Sequence, residues 1–148
     1  MSLEFRLAGP EDIEQILDMM EDFYAIDLYP FTREETRINV EKFIADPGLG
    51  RLWVVSTPEA VAGYAVLTFG YSFEFKGRDA FVDELYVVPE QRSKGLGAIV
   101  LDYVLDQARA AGIKAVHLEV EKHNEKANRL YRSRQFEAHK RALMTKWL

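Results

Sequence analysis

Apolar positions along the chain change their period several times. Ile13, Ile16, Leu17, Met20 and Tyr24 recur every three or four residues, which gives a helix one apolar face. Pro10, Glu11 and Asp12 precede them, and proline with acids in the first turn suits a helix start. Thr32 followed by Glu35 has capping-box spacing, and Ile38 and Phe43 continue a short second helix that Asp46-Pro47-Gly48 stops. Three β-branched and aromatic runs follow, "RLWVVS", "AVAGYAVLTFGYSF" and "DAFVDELYVV". The turn-like clusters Thr57-Pro58-Glu59 and Lys76-Gly77-Arg78 separate them, and such short connections predict an antiparallel meander.

From Gly95 the period returns to that of a helix. Leu96, Ile99, Val100, Tyr103, Val104, Ala108 and Ala111 share one face, Asp102, Asp106 and Arg109 the other, and Gly112 fits the C-terminal cap. The pattern then predicts a strand over Lys114–Val120, a helix from about Asn124 to Arg134 and a closing strand in "ALMTKWL". Strand, glycine turn, helix and strand make a βαβ unit, whose two strands run parallel. The expected fold is therefore α+β, a mixed and mostly antiparallel sheet with a central parallel strand pair flanked by helices. No repeat, low-complexity tract or linker divides it, so a single domain over 1–148 is expected.

Composition narrows the chemistry. With 148 residues and no cysteine, the chain can bury a core without disulfides and has no thiolate nucleophile or thiolate metal ligand. His117, His123 and His139 lack metal-motif spacing, so no metal is expected. The first residues lack the apolar run of a signal peptide, and no run approaches the roughly 20 residues that span a bilayer. A cytoplasmic protein without membrane partners is expected. The net charge of −5 argues against nucleic-acid binding, yet it is uneven: residues 122–148 carry +6 and the rest −11. That asymmetry suits an anionic ligand at one end and a cationic one elsewhere.

The turn Gln91-Arg92-Ser93-Lys94-Gly95-Leu96-Gly97 suits an anion. Glycine removes the Cβ that would block close approach, and the helix that follows adds its positive end. Arg92 and Lys94 would serve as mobile counter-charges to a phosphate. A Walker loop is absent, and Val100 stands where a dinucleotide fingerprint needs its third glycine.

Taken with its surroundings, this turn resembles that of the GNAT superfamily of acetyl-CoA-dependent N-acetyltransferases. Arg92-Ser93-Lys94-Gly95-Leu96-Gly97 matches the family pattern [RQ]-x-x-G-x-[GA] at each defined position, and "ELYVVPE" looks like the strand and proline exit before it. Asn124 to Tyr131 looks like the second motif, N-x-x-A-x-x-L-Y. There the family continues with glycine-phenylalanine and this chain with Gln135-Phe136, so a positive φ at that helix end lacks its glycine. The resemblance covers most of the chain, since the order of its elements is also the family's.

The resemblance implies acetyl-CoA as cosubstrate, with "DAFVDELYVV" and the strand from Lys114 splayed apart around pantetheine. Backbone groups of Leu85, Tyr86 and Val87 would bind pantetheine. Arg92, Ser93, Lys94, Gly95, Leu96, Gly97 and Ala98 would meet the pyrophosphate, with Asn124, Ala127, Tyr131 and Arg134 on the far side. An aliphatic ammonium titrates at about 10.4, so presenting the free amine at pH 7 costs about 4 to 5 kcal/mol, and a carboxylate is the usual agent for that proton. Strand alternation sends Asp83 and Glu84 to opposite faces. Asp83 aligns with the acid of the diamine acetyltransferases and is narrowly favoured, and Glu84 with the glutamate of other members. Tyr131, two turns after Asn124 on nearly the same face, takes the family's role of protonating the CoA thiolate. With no covalent nucleophile evident, attack is direct in a ternary complex, and the Val87 N–H would meet the oxyanion.

For the acceptor, Asp27 resembles an acidic residue of the diamine and polyamine acetyltransferases, and Tyr24, Tyr29 and Phe31 could surround a cation. Asp27, Tyr24 and Asp83 are thus the expected contacts of a small, polyamine-like amine. A protein N-terminal or lysine acetyltransferase would keep the same cofactor site, and a non-catalytic acetyl-CoA sensor is the reading from another class. A homodimer is left open.

Overall fold

A computed structural model of the chain describes residues 2–148. Two compact units are present, Met1–Leu118 and Glu119–Leu148. The first contains β1 (Glu4–Leu7), α1 (Ile13–Ile26), α2 (Arg33–Ala45), β2 (Gly50–Ser56), β3 (Val61–Ser72), β4 (Gly77–Val87), α3 (Leu96–Ala110) and β5 (Ala115–His117). The second contains α4 (Glu125–Ser133). The sheet order is β1-β2-β3-β4-β5, antiparallel from β1 to β4 and parallel between β4 and β5. This is the expected mixed, mostly antiparallel α+β sheet. No helix among the described residues is long and apolar enough to cross a membrane.

Cross-strand partners share a face. Leu52, Val54, Tyr64, Val66 and Tyr86 on one face form a core with Ile13, Ile16, Leu17, Met19, Met20 and Val40 of α1 and α2. On the other face lies α3, whose Tyr103 stacks on Phe5 at 3.9 Å and meets Trp53 edge-on at 5.7 Å. Its buried residues are Leu96, Val100, Leu101, Val104 and Ala108, the stripe that its period predicts.

Four sequence expectations need correction. The first strand was not expected, because "EFRL" is too short and too charged to show a period. Pairing from Glu4↔Ser56 to Leu7↔Trp53 defines it, and Arg6 donates to the buried Asp12 carboxylate at 2.7 and 2.8 Å. Thr32 starts α2 but its side chain makes no capping bond; its carbonyl accepts from the Thr36 hydroxyl at 2.9 Å instead. The strand expected over Lys114–Val120 is only Ala115–His117, since its pairing with β4 ends at Phe81↔His117. The closing strand in "ALMTKWL" does not form, because residues 142–148 have no sheet partner in the chain. The parallel β4–β5 pair therefore stands at the edge of the sheet rather than in its centre.

One irregularity in β4 bears on the site. Val66 pairs with Glu84 and Leu67 with Val82, so Asp83 is an extra residue with no partner on β3. Such a bulge bends the strand and breaks strict alternation. Val82 shares the α3 face with Leu67, while Glu84 joins Val66 and Tyr64 on the α1 face.

Candidate active site

The turn before α3 is a row of unused donors. Ser93 and Gly95 both have positive φ, 62° and 78°, and the chain between them curls to present successive N–H groups. Among the described residues, none of the N–H groups from Ser93 to Ala98 donates a hydrogen bond, and the next one to do so is Ile99, to Gly95 O at 3.4 Å. The first turn of any helix leaves such orphans; here the two residues before Gly95 extend the set. A Cβ built on Gly95 or Gly97 would have nothing within 4 Å, so the space before these donors is open. Donors, space and the positive helix end together fit a pyrophosphate.

Beside this turn, one edge of β4 is free. Val88 N donates to Ala62 O on β3 at 2.8 Å, so by antiparallel alternation the N–H and C=O of Val87 and Leu85 point away from β3. Beyond Phe81 no β5 residue meets them. Pairing with β5 thus stops short of Leu85 and Val87, whose backbone groups face outward from β3. Arg92, expected as a mobile counter-charge, is docked: its Nε donates to Val87 O at 2.8 Å and its guanidinium lies 5.3 Å from the Tyr86 ring. Lys94 Nζ reaches Gln91 Oε1 at 3.4 Å.

On the α1 face of β4, Glu84 is clasped by two tyrosines. Tyr24 Oη donates to Oε2 at 2.5 Å and Tyr64 Oη to Oε1 at 2.6 Å. Burial raises the Glu84 carboxyl, the two phenol hydrogen bonds work against that rise, and the neighbouring Asp83 charge adds to it. Burial first, then the contact with Glu84, also raises both phenols well above their ordinary value, so both stay protonated and keep donating. Asp83 is exposed at the bulge, yet surrounding atoms withdraw enough water to raise its carboxyl too. Two adjacent carboxylates of unlike environment are the kind of pair that divides acid and base roles.

Of the expected acceptor residues, the structure brings Tyr24 onto Glu84, with Phe31 edge-on to Tyr24 at 5.6 Å. Asp27 is apart from them in exposure, a solvent-facing residue at the end of α1. Tyr64 was missed. It is fully buried, and a phenol inside an apolar strand run needs a hydrogen-bond partner, the one signal "AVAGYAVLTF" offered.

In the second unit, Asn124 Oδ1 accepts from Ala127 N at 3.1 Å, so both residues of this motif serve the cap of α4. The helix ends in a Schellman motif, with Gln135 N bonded to Arg132 O at 2.9 Å and Phe136 N to Tyr131 O at 3.0 Å. Gln135 takes the positive φ, 68°, that the missing glycine implied. Phe136 packs against Tyr131 at 5.9 Å between ring centres. Burial raises the Tyr131 phenol, and Arg134 closes the helix through its backbone N–H, while its Nη1 donates to Ser133 Oγ at 3.0 Å.

A bulged strand, an unpaired strand edge and a donor-lined turn before a helix thus stand together in the first unit. The profile of the Acetyltransferase (GNAT) family matches residues 13–136, and the chain belongs to that family. Over 73 residues, 49% of this chain and 42% of the relative, it is 34% identical to the thialysine N-epsilon-acetyltransferase of Bos taurus. That match spans less than half the relative's length. Over 133 residues, 88% of this chain and 90% of the relative, it is 27% identical to an uncharacterized N-acetyltransferase of Archaeoglobus fulgidus. A structure from Clostridium acetobutylicum, described as a predicted acetyltransferase with acetyl-CoA, shares the fold with a TM-score of 0.81 at 17% identity, covering 98% of this chain and 96% of that one.

Proposed function

We propose that the chain, acting as one domain, transfers the acetyl group of acetyl-CoA to a small primary amine at the end of an aliphatic chain. The observation that carries this reading is the row of unused N–H donors from Ser93 to Ala98 beside the free edge of β4. These donors would take the pyrophosphate, and the backbone of Leu85 and Val87 would hold pantetheine. The Val87 N–H would meet the oxyanion. Bound acetyl-CoA supplies the activated thioester; the rest is proton handling by the protein.

Glu84 is the acceptor of the amine proton in this scheme, in preference to Asp83. Its two phenol bonds fix both carboxylate oxygens, and its raised carboxyl brings it closer to the neutral range in which a base works best. Asp83, exposed beside it, attracts the ammonium. Tyr131 donates the proton that leaves with the CoA thiolate, a role its raised phenol supports because the proton is retained at neutral pH. The acceptor class follows from the aromatic and acidic surroundings of Glu84 and from the partial likeness to a thialysine acetyltransferase. Thiol release from acetyl-CoA, measured with thialysine, lysine, diamines and a lysine peptide, tests it. Turnover with a free amine is expected. Binding of CoA without thiol release for any amine would leave a cofactor sensor, and turnover with the peptide alone would reassign the acceptor.

A further inference from the structure

The face of β4 that carries Glu84 continues past the core. Val66↔Glu84, Thr68↔Phe81 and Gly70↔Asp79 are successive pairs on that face, so Glu84, Phe81 and Asp79 form a row. Burial falls away along it: Val66 is buried, Thr68 half-buried and Gly70 exposed. Phe81, between the two acids, is 39% exposed.

The row ends in a held carboxylate. Asp79 Oδ2 lies 3.0 Å from His117 Nε2, and the His117 ring packs against Phe75 and Phe81 at 4.6 and 5.1 Å between centroids. The side chains of His117 and Asp79 are only 18% and 13% exposed. The second oxygen, Oδ1, lies over Gly70, where an added Cβ would stand 2.8 Å from it. Among the described residues Oδ1 has no partner, and no buried side-chain oxygen lacks one, so Oδ1 is open to solvent. A carboxylate fixed through one oxygen, with the other free beside aromatic rings, suits an organic cation.

We propose that Asp79, oriented by His117, binds a second ammonium of the acceptor, with the alkyl chain lying over Phe81 and the reacting amine at Glu84, so that the acceptor is a long alkane diamine. This rests on Glu84 receiving the amine proton. The four steps along β3 from Val66 to Gly70 span roughly 13 Å. Zigzag bonds of about 1.5 Å advance an extended alkyl chain by roughly 1.25 Å each. The nitrogens of diaminooctane, about 11 Å apart on that measure, can each approach one carboxylate. The two amines of lysine or thialysine stand too close together to reach both.

Thiol release from acetyl-CoA with three acceptors of one length tests this: diaminooctane, octylamine and ω-aminooctanoate, whose far ends are positive, neutral and negative. The kcat/KM for diaminooctane is expected to exceed that for octylamine by about tenfold or more, the weight of a charge-assisted bond, through KM rather than kcat, with aminooctanoate last. Asp79→Asn keeps the shape of the side chain and is expected to erase most of that preference. Should the variant not fold, a series on the wild-type chain from diaminopropane to diaminododecane decides, with kcat/KM expected to peak near diaminooctane. Equal kcat/KM for diaminooctane and octylamine, a series that peaks at the shortest diamines, or a preference that Asp79→Asn leaves intact overturns the subsite while acetyl transfer to amines stands. Binding of CoA without thiol release for any of these amines overturns the acetyl-transfer reading itself.

Discussion

At the scale of single residues the decisive group is Glu84, an acid held on a buried face by Tyr24 and Tyr64. Because burial raises its carboxyl, the folded chain binds that proton more tightly than the unfolded chain does. Above both pKa values the charge therefore costs stability, and below the unfolded value that cost is absent. Glu84→Gln is expected to lower kcat/KM by about 100-fold or more while raising the melting temperature at pH 8, a gain that fades as pH falls toward 4. Paired activity and melting curves check both halves; a loss of stability at pH 8 would make Glu84 a structural acid. Tyr64→Phe removes one of the two bonds that lower the Glu84 carboxyl, so Glu84 should titrate higher and the acidic limb of kcat/KM should move to higher pH. An unmoved limb would mean that another group titrates there.

At the scale of elements, the helix ends carry similar chemistry in different residues. The last turns of α1, α3 and α4 all close with the paired backbone bonds of a Schellman motif, through Leu28 and Tyr29, Gly112 and Ile113, and Gln135 and Phe136. The residue of positive φ is glycine only in α3. Tyr24 and Tyr131, two of the three phenols given roles above, occupy the same position in their motifs, each giving its carbonyl to the second residue past the cap. Gln135→Gly relieves the left-handed strain and is expected to stabilise the chain by roughly 1 kcal/mol, read from a urea melt; destabilisation would show that the Gln135 side chain contributes more than its backbone costs. Gly97→Ala adds before the donor row a Cβ that meets nothing within 4 Å. The Kd for CoA is expected to rise at least about tenfold, a loss of about 1.4 kcal/mol, with melting unchanged. A rise in Kd accompanied by a lower melting temperature would make Gly97 a packing residue.

Much of this architecture was legible because long elements carry strong periods. The Leu96-to-Ala111 stripe, the two strands flanking Lys76-Gly77 and the glycine turn each imposed their own geometry. The Gln135 φ was legible from a single missing glycine. What escaped depended on partners distant in sequence. "EFRL" is a strand only because Trp53 to Ser56 receive it, and "ALMTKWL" reads as a strand although no such partner is found among the described residues. Nor could alternation place Asp83 and Glu84, since nothing in "VDELYV" announces an unpaired residue, and Tyr64 acquires its role only from a glutamate 20 positions away.

At the scale of the sequence as a whole, charge is divided between an acidic part and a basic end, −11 over residues 1–121 and +6 over residues 122–148. Under the proposed function, polyanionic acetyl-CoA and a cationic amine would then meet fields of opposite sign, screened with a Debye length of about 8 Å at physiological ionic strength. The KM of each substrate is expected to rise with added sodium chloride, and steady-state titrations at several salt concentrations check this; flat KM values would confine the charge to local pairs. The sheet adds a constraint of another kind. Since Asp83 pairs with nothing on β3, its deletion would preserve every cross-strand partner from Gly63↔Val87 to Ser72↔Gly77 while removing the bend that the bulge puts in the strand. The ladder tolerates the loss of that position and the bend beside Glu84 does not, so the chain is constrained there in its length before it is constrained in its chemistry.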